Sequence, residues 1–175
     1  MLRIVLLAAL ILVDFVARTT IWPELAIVGV TPDTALILIV SYGMLRGDIE
    51  GALFGLAMGF MTDLFGGTVF GFYALLGFAA GYISGKPFRS FFKDNYFLPF
   101  LIVLLMVLAY QLLVYVTHLM IGDGVGFWFY LHAMMLPKTV YTVALAIPFY
   151  TLFHFCNARL EAFERRTLFE EKNDD

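Results

Sequence analysis

The sequence predicts an all-α, polytopic membrane protein of six transmembrane helices, and three observations predict it. The chain is 62% hydrophobic and only 14% charged, against about 25% charged in an average soluble domain. A soluble globule of 175 residues keeps much of its surface in water and has no room to hide so many apolar side chains. The apolar residues gather into six runs on the scale of the roughly 20 residues that cross a hydrocarbon core. Lys and Arg lie almost wholly in alternate connections between those runs, as cytoplasmic loops require.

The first run covers residues 2–17 and carries Asp14. A basic start before an apolar run also suits a signal peptide, but Asp14 interrupts the run and no small-residue cleavage site follows, so a retained helix is expected. A loop with Trp22, Pro23 and Glu24 leads to Pro32 and Asp33. Pro32 disfavours helix before it, and Asp33 suits the N-cap of the second run, 34–45. Trp22 fits an interfacial anchor. Arg46 to Glu50 reads as a polar turn into the third run, 51–65, and Gly66 and Gly67 break the chain before the fourth, 69–85. A basic loop with Lys86, Arg89 and Lys93 follows. The fifth run, 96–121, is the longest, about 39 Å as a helix. Glycines 122, 124 and 126 make the next turn, and the sixth run, 127–155, contains Pro137 and Pro148, both expected to kink it. Residues 1–156 form the membrane domain, and 157–175 a charged, solvated tail. The single cysteine, Cys156, excludes an internal disulfide and reads as a small apolar residue of the last run.

The basic residues set the orientation. With both termini cytoplasmic, the inner side holds nine: Arg3, Arg46, Lys86, Arg89, Lys93, Arg159, Arg165, Arg166 and Lys172. The outer side holds Arg18, and Lys138 falls within the sixth run. A bias of this size predicts six spans with both ends inside.

Gly51, Gly55 and Gly59 step at four-residue intervals along one helix stripe, and Asp63 continues it. In water each interior glycine weakens a helix by about 1 kcal/mol against alanine. In a bilayer, small residues at this spacing let a second backbone come close. A matching ladder at Gly77, Gly81 and Gly85 predicts two antiparallel helices packed tightly, with the Asp63 carboxylate at the mouth. Asp63 either binds a ligand, proton or partner, or accepts hydrogen bonds from the following turn or the start of the next helix. Buried charge in a bilayer needs a reason. Asp14 and Lys138 lie at similar depths from opposite sides, about 16 Å in, and are expected to pair between the first and sixth helices. The alternatives are that either one faces a water-filled cavity, or that Asp14 sits beside Arg18, four residues on.

Enzymatic chemistry is not expected. His118, His132 and His154 make no ligand pair, and no Ser-His-Asp setting or phosphate loop is present. No cofactor, metal or nucleic acid is expected. Membrane lipid is the expected surroundings, with the aromatic clusters at its interfaces.

The ordered series Trp22-Pro23, Pro32-Asp33, Arg46-Gly47, Gly55 to Gly59, Asp63, Gly66-Gly67 and Gly71, with the proline-containing last helix, resembles the MreD family of bacterial rod shape-determining proteins. The resemblance runs to about Arg159. It implies a non-catalytic component of the cell-elongation machinery in the bacterial inner membrane. The partners it implies are the bitopic protein MreC directly, and MreB filaments, RodA and a class B penicillin-binding protein through the complex. It leaves a homodimer open. On this reading the glycine-rich helices and outer loops present a surface to a partner's transmembrane helix. Family members often carry Asn a few residues before the last helix's proline; this chain has Thr142, also a candidate partner contact. The family is similar in fold to the substrate-binding S components of energy-coupling-factor vitamin transporters, which supplies the alternative function. A small proton-coupled carrier using Asp14, Lys138 and Asp63 is a further alternative.

Overall fold

The computed structural model describes residues 2–26, 29–66, 70–86, 97–122, 126–146 and 148–151, and all statements of structure concern these. The tail, Cys156, Gly67 and most of the basic loop after Lys86 lie outside them.

Helix α1 (Leu2–Val16) runs on into a π-helical turn, Ala17–Ile21. The turn is centred on Thr19, whose carbonyl is the one that the ring of Pro23, four residues later, would crowd; a locally widened helix relieves that clash. Helix α2 (Thr34–Arg46) starts where Asp33 accepts a hydrogen bond from the Leu36 N–H, as expected of an N-cap. It stops at Gly47, whose φ of 106° only glycine adopts readily. The polar turn expected over residues 46–50 therefore narrows to Gly47 alone, and α3 (Asp48–Gly66) begins at once. Its first-turn acids, Asp48 and Glu50, face the positive end of the helix dipole. Helix α4 (Phe72–Gly85) follows Gly71, which has φ 89° and no side chain to cap the helix. Helix α5 spans Phe97–Ile121. Helix α6 opens at Phe127–Tyr130, passes through a second π-helical turn, Leu131–Met135, and continues over 136–146 and 148–151. That turn is centred on Ala133, again four residues before a proline, so Pro137 acts by widening the helix. Residue 147 lies outside the described residues, and with it the geometry of the kink expected at Pro148.

Helix α2 is the axis of the bundle. Every residue from Thr34 to Met44 is buried, which explains why this run has no polar face. Leu36, Ile37, Val40 and Met44 pack in one core with Phe54 and Met58 of α3, Ala80 of α4, Val103 and Val107 of α5, and Val143 of α6. Tyr115, Tyr130 and Met135 form a smaller cluster between α5 and α6. The outer faces stay apolar: Leu53, Leu75, Leu105 and Val140 are all more than half exposed. Apolar surface of this extent marks a membrane or protein interaction face. By length and apolarity, the stretch Leu101–Met120 meets the requirement for crossing a membrane, with mean hydropathy 2.1; α2 and α4 are shorter apolar helices. The six expected runs thus correspond to six helices among the described residues.

Candidate functional site

The glycine ladders meet each other. A carbon added at Gly55 would overlap the Gly77 carbonyl, one at Gly59 the Tyr73 carbonyl, and one at Gly81 the Gly51 carbonyl. Each four-residue step along α3 is matched by an equal step back along α4, so the two helices run antiparallel in fixed register. Helix α2 joins them: a carbon on Gly51 would strike the Gly43 Cα, and one on Gly43 the Ser84 hydroxyl and Gly81 carbonyl. At the α2–α3 junction, Gly85 lies against the Asp48 backbone. Backbones this close forgo side-chain packing and gain dispersion along the whole seam. The ladder is consumed inside the molecule, so the surface expected there for a partner's helix is not where Gly51, Gly55, Gly59, Gly77 and Gly81 lie. Gly43 continues the same four-residue series N-terminally, a signal in the sequence that the ladder reading did not use.

Asp63 closes the other end of the hairpin. It is 5% exposed; its Oδ1 accepts from the Tyr73 N–H at 3.1 Å and its Oδ2 from the Ala74 N–H at 2.8 Å. These are first-turn donors of α4 that Gly71 cannot satisfy. One helix thus supplies the cap of the next, and the carboxylate sits where the α4 dipole favours negative charge. Of the two roles expected for Asp63, this is the structural one. Gly66 ends α3, and the positive φ of Gly71 makes the entry to α4.

The charges expected to pair directly take other partners. The Arg18 Nε lies 3.1 Å from Asp14 Oδ2 and its Nη2 2.8 Å from Asp33 Oδ1, while Lys138 Nζ lies 3.5 Å from Asp33 Oδ2. Asp14 and Lys138 are thus joined through Arg18 and Asp33, which corrects the expected α1–α6 pair. The reason is local: Arg18 stands one turn beyond Asp14 on the same face, and Asp33 must sit at the α2 N-terminus. The cluster holds two carboxylates and two cations and is neutral overall, which makes its burial tolerable. Arg18 Nε also reaches Thr34 Oγ1, at 3.4 Å.

Thr142 belongs to the same cluster. Its side chain is fully buried, and its hydroxyl accepts the Asp33 backbone N–H at 3.1 Å. It holds α6 to the start of α2 within the chain. One turn of α6 therefore delivers Lys138 and Thr142 to the two sides of Asp33. The Tyr141 hydroxyl adds a bond to the Leu25 carbonyl at 3.1 Å. A cavity of about 160 Å³ opens beside the cluster between α1 and α3, lined by Asp14, Arg18 and Thr62 and otherwise mostly by apolar side chains such as Met58 and Phe65. Sequence reading placed Arg18 on the outer side and Asp33 only at a cap; its alternative, Asp14 beside Arg18 four residues on, is the arrangement present.

The arrangement is one of connection. The buried carboxylates each join two elements: Asp14 and Asp33 through Arg18, Asp33 through Lys138, and Asp63 across the α3–α4 turn.

A family model described as rod shape-determining protein MreD matches residues 1–158. No curated protein and no solved structure matches the chain.

Proposed function

The chain belongs to the rod shape-determining protein MreD family, a family of membrane proteins with a role in determining rod shape, and from that premise we propose that it is a non-catalytic membrane scaffold of the bacterial cell-elongation complex. In this role it binds MreC directly and so links MreB filaments to peptidoglycan synthesis, with RodA and a class B penicillin-binding protein reached through the complex. The proposal includes six spans of the bacterial inner membrane, both termini cytoplasmic, and a fold like that of the transporter S components. The family match over residues 1–158 is the observation that carries it. The geometry supports it, because the close backbones of the glycine ladder and the polar side chains of the cap and ion cluster tie helices to one another and leave the apolar outer faces for lipid and partner helices.

The positive-inside count supports the topology. A vitamin-binding role draws less support: the cavity beside the ion cluster is about 160 Å³, below the roughly 300–1,000 Å³ of small-ligand sites, and the roomier groove of about 460 Å³ on α6 is lined mostly by apolar side chains, with only His132 and Tyr141 to supply polar side-chain groups. The test is retention of MreC on the tagged full-length chain solubilised from its own membranes. Co-purification of MreC is expected. An empty eluate from membranes that demonstrably contain both proteins would sink the direct contact.

A further inference from the structure

The α2–α3–α4 side of the molecule is short. Helix α2 has 13 residues and α4 has 14, about 20 and 21 Å. Gly47 alone separates α2 from α3, and Gly85 lies on the Asp48 backbone, so the three helices share one inner level. At that level stand Asp48, Glu50 and Lys86, with the Lys86 ammonium 4.4 Å from the centre of the Tyr82 ring. At the other end Asp33 caps α2 and Asp63 caps α4. Beyond Glu50, α3 itself rises only about 24 Å. The exposed apolar side chains within that height run from Leu53 to Phe65 on α3 and from Leu75 to Ile83 on α4, with Ile49 and Phe70 exposed at its two edges. The glycine register forbids the two helices from sliding past one another to lengthen the face. On another side of the molecule, Leu101–Met120 of α5 has 20 residues, about 30 Å, the full thickness of an ordinary hydrocarbon core.

We propose that the α3–α4 face holds thinned bilayer, selecting short-chain phospholipid at its surface, while the α5 face sits in bilayer of ordinary thickness. Tilting the hairpin only lowers its height further, so the deficit of about 6 Å must be met by the lipid. The molecule then carries a lateral step in membrane thickness. The inference rests on the proposed reading that these helices span the membrane.

The test uses the full chain carrying Phe60→Trp on α3, reconstituted with brominated dioleoyl phosphatidylcholine mixed with unbrominated dimyristoleoyl, dioleoyl or dierucoyl phosphatidylcholine. Quenching of the added tryptophan, taken as the difference from the parent protein, gives relative lipid affinity at that face. Leu75→Trp on α4 provides a second reporter should Phe60→Trp fold poorly, and Leu112→Trp reports from α5. The expected result is a preference of about two- to threefold for dimyristoleoyl over dierucoyl lipid at α3–α4, with the optimum at α5 shifted to longer chains. Strong quenching with the same chain-length profile on both faces overturns the inference and leaves the spanning hairpin intact. Absence of quenching at both Phe60→Trp and Leu75→Trp, with quenching at Leu112→Trp, overturns the spanning hairpin and this inference with it.

Discussion

Gly55→Ala tests the seam that organises the bundle. Helix propensity alone favours the substitution by about 1 kcal/mol. The added carbon would overlap the oxygen and carbon of the Gly77 carbonyl, which are backbone atoms and cannot rotate away. Even at Gly51, the least crowded rung of the ladder, the new carbon would stand 2.7 Å from the Gly81 oxygen, well inside ordinary contact at about 3.5 Å. Parting α3 from α4 at Gly55 also loosens the rungs at Gly51 and Gly59, since both helices are stiff, and lengthens the 2.8 Å bond from Ala74 to Asp63. Overpacking of this kind costs about 1–3 kcal/mol, with the cap bond adding about 1 kcal/mol. A net loss of about 2 kcal/mol is expected. The assay is thermal or SDS-induced unfolding of the purified protein in detergent. Gly126→Ala is the control, because no atom lies within 4 Å of its added carbon, and it should stay within about 0.5 kcal/mol of the parent. A Gly55→Ala protein as stable as the parent would refute the close approach of α3 and α4.

Three further outcomes follow from the polar contacts, each read by the same unfolding measurement. Asp63→Ala leaves two first-turn N–H groups of α4 without an acceptor and should cost about 2–6 kcal/mol, at 1–3 kcal/mol for each orphaned donor; Asp63→Asn keeps one acceptor and should recover about half, and equal losses for the two would contradict bidentate capping. Arg18→Ala strands Asp14 and leaves Asp33 only Lys138 at 3.5 Å, and should cost about 3–5 kcal/mol, more than Lys138→Met, which leaves Asp33 its closer partner at 2.8 Å; the reverse order would show that Arg18 is not the hub. Thr142→Val orphans the Asp33 N–H and should cost about 1–3 kcal/mol, whereas Thr142→Asn retains an acceptor and should restore most of it.

The helices themselves were legible, because in a chain this apolar the breaks are chemical: Asp33 after Pro32, Gly47, Gly66 and Gly126 each mark an end that the structure keeps. The pairing of the two glycine ladders was legible for the same reason, since small residues at four-residue spacing have one steric use. The phase of the ladders was not: spacing shows that a stripe is small, and only the register of α3 on α4 pairs Gly55 with Gly77 and Gly51 with Gly81. The ion cluster failed in a similar way. Depth along two helices placed Asp14 and Lys138 at one level, but their partners depend on where α1 ends against α2, which no periodicity encodes. Asp63 shows the opposite case: two roles were open, and the missing side chain at Gly71 decides for the cap. Nor does the sequence mark α2 as the axis, because its run is no more apolar than those of its neighbours.

We propose that this membrane bundle serves rod shape as a scaffold rather than as a carrier. Depletion of the protein from its own cells, followed by microscopy, tests it most directly. Cells that round and swell, and that regain rod shape with the parent chain but not with Gly55→Leu, are the predicted result. Cells that stay rod-shaped after depletion and instead require a vitamin in the medium would contradict it.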